Sequence, residues 1–198
     1  MRTLSSLGAL ALVVALAACS SQQEPAQAAL KTAQDAYGAV SAEAQRYVPD
    51  QARTVQASLT AAQDAFTKGD YAAALTQAQA LPAQITALGT AISAKKAELT
   101  TAWTGMAAGV PKLVDAVKRR VDVLGKSKHL PAGITKETFD NAKTGLASAT
   151  QTWSDATAAA GNGDLVSAMA KANDVKTQVV GIMKSLKMQV PAGAGGPV

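Results

Sequence analysis

Apolar residues along this chain recur at alternating steps of three and four, the period of one face of an α-helix. The first such stripe runs Leu30, Ala33, Tyr37, Val40, Ala44, Tyr47, and Val48-Pro49-Asp50 breaks it. A second stripe, Ala52, Val55, Leu59, Ala62, Phe66, stops at Lys68-Gly69-Asp70. There the glycine tolerates a left-handed backbone and Asp70 can cap the following helix. The third stripe is the longest: Tyr71, Ala74, Leu75, Ala78, Leu81, Ile85, Leu88, Ile92, Leu99, Trp103 and Met106. Pro82 predicts a kink within it, and Lys95 and Lys96 read as solvent-facing interruptions. Gly105, Gly109 and Pro111 predict its end.

A fourth helix is expected through Leu113, Val114, Val117, Val121 and Leu124, followed by a basic loop over 125–135. A fifth carries Phe139, Ala142, Leu146, Ala149, Trp153, Ala156 and Ala160, and Gly161-Asn162-Gly163-Asp164 is a tight turn. A sixth carries Leu165, Ala168, Met169, Ala172, Val175, Val179, Ile182 and Leu186. Phe139 and Trp153, the bulkiest groups on their stripe, are expected in the core. The pattern predicts an all-α fold, an elongated antiparallel bundle of about six helices over 27–189, with a Pro/Gly-rich flexible tail at 190–198.

Composition agrees with this pattern. About half the chain is apolar, but Ala dominates and there are only seven aromatic residues among 198. Ala is the best helix former, and an Ala-rich interface lets helices approach closely while burying little area per residue. Charge is uneven. Residues 19–110 carry six Lys/Arg against seven Asp/Glu, whereas 111–198 carry twelve against seven.

The N-terminus follows a different pattern. Arg2 and a short polar stretch precede a twelve-residue apolar run, Leu7 to Ala18, the order of an export signal. The run is shorter than the roughly 20 residues that a spanning helix needs. It ends Leu16-Ala17-Ala18-Cys19, which resembles the lipobox of bacterial lipoproteins. The resemblance implies cleavage after Ala18, with 1–18 as signal peptide, and a diacylglyceryl group on the Cys19 thiol. It also implies a membrane partner through that anchor and a short lipidated tether over 19–26. Ser20 rather than Asp follows the cysteine, which by analogy with lipoprotein sorting implies the outer membrane, periplasmic side. Cys19 is the only cysteine, so no internal disulfide can form.

The two Gly-Asp turns lie 94 residues apart, and the match extends outward: Leu59 with Trp153, Ala62 with Ala156, Ala78 with Ala172, Ile85 with Val179, Leu88 with Ile182. Duplicated helical hairpins and a chance likeness of Ala-rich helices both fit this pattern. The fourteen residues A-F-T-K-G-D-Y-A-A-A-L-T-Q-A resemble a tetratricopeptide-repeat turn. That family repeats every 34 residues, however, and Ser58 stands where it often has Trp. A generic helical hairpin is the better description. Over roughly 27–100, Tyr47-Val48-Pro49, Ala52, Leu59, Ala62 and Gly69-Asp70-Tyr71 resemble small helical outer-membrane lipoproteins grouped as a domain of unknown function. This implies an envelope location and no particular activity.

Chemistry-bearing motifs are sparse. His129 is the only histidine and lies in the Lys-rich loop, whereas transition-metal sites want several His or Cys ligands. No G-x-S-x-G, phosphate-binding loop or H-E-x-x-H occurs, and the carboxylates are spread singly. No enzyme activity, metal or cofactor is expected. Lys112, Lys118, Arg119, Arg120, Lys126 and Lys128 cluster with His129 against only Asp115 and Asp122. This is either a solvated helix face or a contact for anionic envelope polymers or lipid phosphates. With Val117, Val121 and Leu124 facing inward, the consecutive Lys118, Arg119 and Arg120 are expected to be exposed. The implied compartment excludes nucleic acid. The expected function is a non-catalytic, lipid-anchored envelope protein with a structural or protein-interaction role. The alternative is a binding module for an apolar or anionic envelope ligand.

Overall fold

The computed structural model describes residues 22–193. The segment read as signal peptide with Ala18, Cys19 read as the site of lipid attachment, and the last five residues lie outside the described residues. The fold is all-helical, with five helices among the described residues: α1 (Gln23–Tyr47), α2 (Pro49–Thr67), α3 (Tyr71–Lys126), α4 (Lys136–Gly161) and α5 (Leu165–Ser185).

Five helices replace the expected six because α3 does not stop at Gly105, Gly109 and Pro111. Its apolar positions keep step across that segment: Met106, Val110, Val117, Val121 and Leu124 are all buried. Burial along one continuous face outweighs the local cost of a helical proline, about 3 kcal/mol, and of each glycine, about 1 kcal/mol. Pro82 is accommodated in the same way. Its ring is exposed while Leu81 and Ile85 on either side are buried. At the other end, α1 begins at Gln23, inside the stretch read as tether. Pro25 sits in its first turn, where a missing N–H is harmless.

The predicted breaks at 48–50, 67–70, 125–135 and 161–164 are all present. Pro49 occupies the first turn of α2. At the first Gly-Asp turn, Gly69 has φ +81°. There Lys68, Gly69 and Asp70 donate their N–H groups to the carbonyls of Asp64, Phe66 and Ala65, and the Asp70 carboxylate accepts from Ala73 N–H. The second turn repeats this bond for bond. Gly163 has φ +76°; Asn162, Gly163 and Asp164 donate to Ala158, Ala160 and Ala159; the Asp164 carboxylate accepts from Ser167 N–H. The buried positions that follow also correspond: Ala74, Ala78, Leu81, Ile85, Leu88 and Ile92 against Ala168, Ala172, Val175, Val179, Ile182 and Leu186.

The chain divides into two compact units, and the division falls inside α3 between Lys95 and Lys96. These two lysines are half-buried rather than fully solvent-facing. The stretch expected as a helical domain over 27–189 thus contributes to both units. In the first, α1 packs on α2, and the Tyr37 hydroxyl donates to the Ala52 carbonyl at 3.2 Å between them. In the second, α4 packs closely on α5, with Ala142, Ala149 and Ala156 on one and Ala168 and Ala172 on the other, all buried. The larger residues of α3, Met106, Val110, Val117 and Val121, complete this second core.

Candidate functional site

The second unit carries the candidate site, an apolar groove of about 470 Å³. It runs along α3 from Thr101 to Leu113, faces Lys176 on α5, and is walled by Pro191 and Gly193 of the chain end. Met106 and Val110, core residues 5% and 1% exposed, form its floor. Gly105 and Gly109, one turn apart, open its side, and a Cβ at either would meet nothing within 4 Å among the described residues.

The wall depends on how α5 ends. Leu186, Lys187 and Met188 donate N–H groups to the carbonyls of Ile182, Lys184 and Met183, the same pattern that ends α2 and α4. Here, however, the left-handed position is Lys187 (φ 55°), the only non-glycine residue with positive φ among those described. A left-handed L-residue costs about 1–2 kcal/mol. The reversal buries Leu186 fully and packs Met188 and Val190 against the core. It also turns Pro191 and Gly193 toward α3. Pro191 and Gly193, within the stretch expected as flexible tail, therefore line the site, and 194–198 lie outside the described residues.

The basic cluster is only partly brought together. Lys118, Arg119, Lys126, Lys128 and His129 are exposed, as is Lys112, which lies at the rim of the apolar groove. Arg120 departs from the expected exposure. It is half-buried, and its Nη2 donates to the Leu186 carbonyl at 3.4 Å. Position 120 lies three residues after Val117 and four before Leu124, so it flanks the core stripe. Its stem covers apolar surface while the cation meets the negative C-terminal end of α5. Its Nε atom is buried with no hydrogen-bond partner among the described residues. Arg120 therefore braces the end of α5 rather than facing solvent.

A second, shallower groove of about 800 Å³ lies between α3 and α4 and mixes Lys118 and Lys143 with Asp115 and Asp122. Beside it, Phe139 and Trp153 are half-buried rather than fully buried. Each is large enough to reach the core with one edge while the other stays at the surface. Trp153 stacks on Trp103 with ring centroids 5.6 Å apart and planes 15° from parallel. The Lys143 ammonium lies 5.6 Å from the centre of the Phe139 ring.

The loop leading into α4 is anchored by buried Ile134 and by Thr135, whose hydroxyl accepts from Thr138 N–H at 3.1 Å. In the next turn Lys136 donates to Asp140 at 2.5 Å. That hydrogen bond holds the Asp140 carboxyl below its usual range and raises the Lys136 ammonium above its own.

Among the described residues no three His, Cys, Asp or Glu side chains gather where they could hold a metal ion, and no helix is long and apolar enough to cross a membrane. The chain has no significant match to a protein-family model, a curated protein or a solved structure.

The groove was not legible as a site because Gly105 and Gly109 read locally as a helix end. One signal for it is present in the sequence. Leu99, Trp103, Met106, Val110, Leu113 and Val117 keep uninterrupted three/four steps through the glycines, which places both on a helix surface.

Proposed function

We propose that this chain is a non-catalytic lipoprotein, anchored through Cys19 to the outer membrane on its periplasmic side, that acts through binding or scaffolding. The observation that carries the reading is the twelve-residue apolar run ending Leu16-Ala17-Ala18-Cys19. Burial of acyl carbons contributes about 0.8 kcal/mol per CH₂, and two or more chains make a stable anchor. The mature part resembles small helical envelope lipoproteins. Its helices pack antiparallel within each unit, and the shared turn geometry supports descent of the two units from one duplicated hairpin. The partners on this reading are other envelope proteins or anionic envelope polymers, contacted through Lys118, Arg119, Lys126 and Lys128.

The apolar groove beside α3 favours a second reading, a module that holds an envelope ligand. Its lining is apolar apart from a few polar groups, as small-molecule sites commonly are, and its volume falls in their usual range of about 300–1,000 Å³.

The anchor is tested by mass spectrometry of membrane-extracted protein, which should find the chain beginning at an acylated Cys19. A Cys19→Ser form should leave the membrane fraction. If that form stays equally tightly bound, the reading is wrong. Crosslinking in the intact envelope, followed by identification of partners, then separates scaffold from ligand carrier.

A further inference from the structure

We infer that the groove along α3 of the second unit is a binding site for a single-chain anionic amphiphile, a long acyl chain ending in a negatively charged head. The inference deepens the ligand-holding reading and does not depend on the anchor at Cys19.

The apolar part of the ligand follows from the floor and wall. Met106, Val110, Leu113 and Pro191 present carbon along the α3 segment 101–113, which is roughly 18 Å long at 1.5 Å per residue. A slot of that length suits an extended acyl chain. Gly105 and Gly109 keep it open. Each costs helix stability relative to Ala, yet nothing among the described residues approaches the place where their side chains would stand. Other helical glycines, such as Gly181, share that open space, but Gly105 and Gly109 stand together on a face that lines a cavity. The opposite wall is held by the left-handed Lys187, a backbone cost of the kind that clusters at ligand sites.

The charge of the head follows from the rim. Lys112 and Lys176 line the groove, and no Asp or Glu lines it among the described residues. Thirteen Lys/Arg against eight Asp/Glu lie within residues 96–198, so the field around the groove favours an anion. The same field opposes docking of a second copy of this unit, whose surface carries the same sign.

The test uses the chain from Ser20 onward, which keeps every described helix, so that the protein's own acyl groups do not compete. Binding of palmitate is measured by equilibrium dialysis below its aggregation concentration, beside hexadecylamine, which carries the same chain with a positive head. Palmitate should bind saturably at one per chain, at least tenfold more tightly than the amine. Gly109→Leu should weaken palmitate binding at least tenfold by filling the slot, whereas Gly181→Leu on α5, away from the groove, should leave it unchanged. Lys112→Glu should narrow the preference for the anion. Helical circular dichroism confirms that each variant is folded. Equal binding of the two amphiphiles, no saturable binding, or full binding by folded Gly109→Leu would overturn the inference. Self-association abolished by Gly109→Leu, without palmitate binding, would overturn it in favour of a second copy.

Discussion

The Trp103–Trp153 stack offers the most direct measure of how the second unit is held together. Trp153 is only half-buried, so Trp153→Ala should cost less than the 3–5 kcal/mol of a fully buried aromatic. Roughly two-thirds of that, about 2–3 kcal/mol, is the expected loss. Within it, the offset stack at 5.6 Å should contribute about 0.5–1.5 kcal/mol beyond simple burial. A cycle of Trp103→Ala, Trp153→Ala and the double variant isolates that share, because unrelated sites add to within about 0.5 kcal/mol. Both tryptophans of the chain lie in the second unit, and all three tyrosines, Tyr37, Tyr47 and Tyr71, lie in the first. Tryptophan fluorescence of the native chain therefore reports the second unit alone, and far-ultraviolet circular dichroism follows the variants. For a unit of about this size, 2 kcal/mol lowers the melting temperature by roughly 8–16 °C. Near-ultraviolet dichroism from the paired rings should vanish in either single variant. Single variants whose losses add within error, with no coupling, would refute the claim that the stack stabilises the fold.

Asp164→Ala removes the carboxylate that accepts from Ser167 N–H and should cost about 1 kcal/mol by denaturant unfolding. Gly109→Ala adds a methyl in open space and should stabilise by up to about 1 kcal/mol. Gly145→Ala should gain less or lose, because its new Cβ would lie 3.0 Å from Ile182 Cδ1. Lys187→Gly relieves the one left-handed non-glycine residue described and should raise stability by about 1 kcal/mol in thermal unfolding. The Lys136–Asp140 pair sets a pH window. Asp140 is held low, so its contribution is complete above the ordinary aspartate range and is lost as pH falls through the lowered value. Lys136 is held high, so its contribution is complete below the ordinary lysine range and is lost as pH rises through the raised value. A carboxyl titration followed by NMR should put Asp140 below an unpaired aspartate, and Lys136→Gln should return it to the usual range.

The sequence by itself determined the turns and the inward faces, because both rest on local chemistry. Pro49 has the fixed φ and missing N–H that suit the first turn of a helix. Gly69 and Gly163 accept a positive φ that other residues resist, and Asp70 and Asp164 supply the capping oxygen one position later. The three/four stepping identified Leu30, Leu59, Leu81, Val117 and Val179, all of which are buried. Tertiary packing decided what local signals misread or left open. Gly105, Gly109 and Pro111 are helix breakers in isolation, and α3 continues through them because the buried face does not lose step. Arg120 looks like a surface charge, but the end of α5 supplies a carbonyl for it. Trp153 looks like a core residue, but its position against Trp103 leaves one edge at the surface. The candidate groove needs α3, Lys176 and the reversed segment at 191–193 side by side. The α3 segment 101–113 lies more than sixty residues before Lys176 and 191–193 in the chain, and the packing of Leu186, Met188 and Val190 behind a strained Lys187 brings the reversed segment to it.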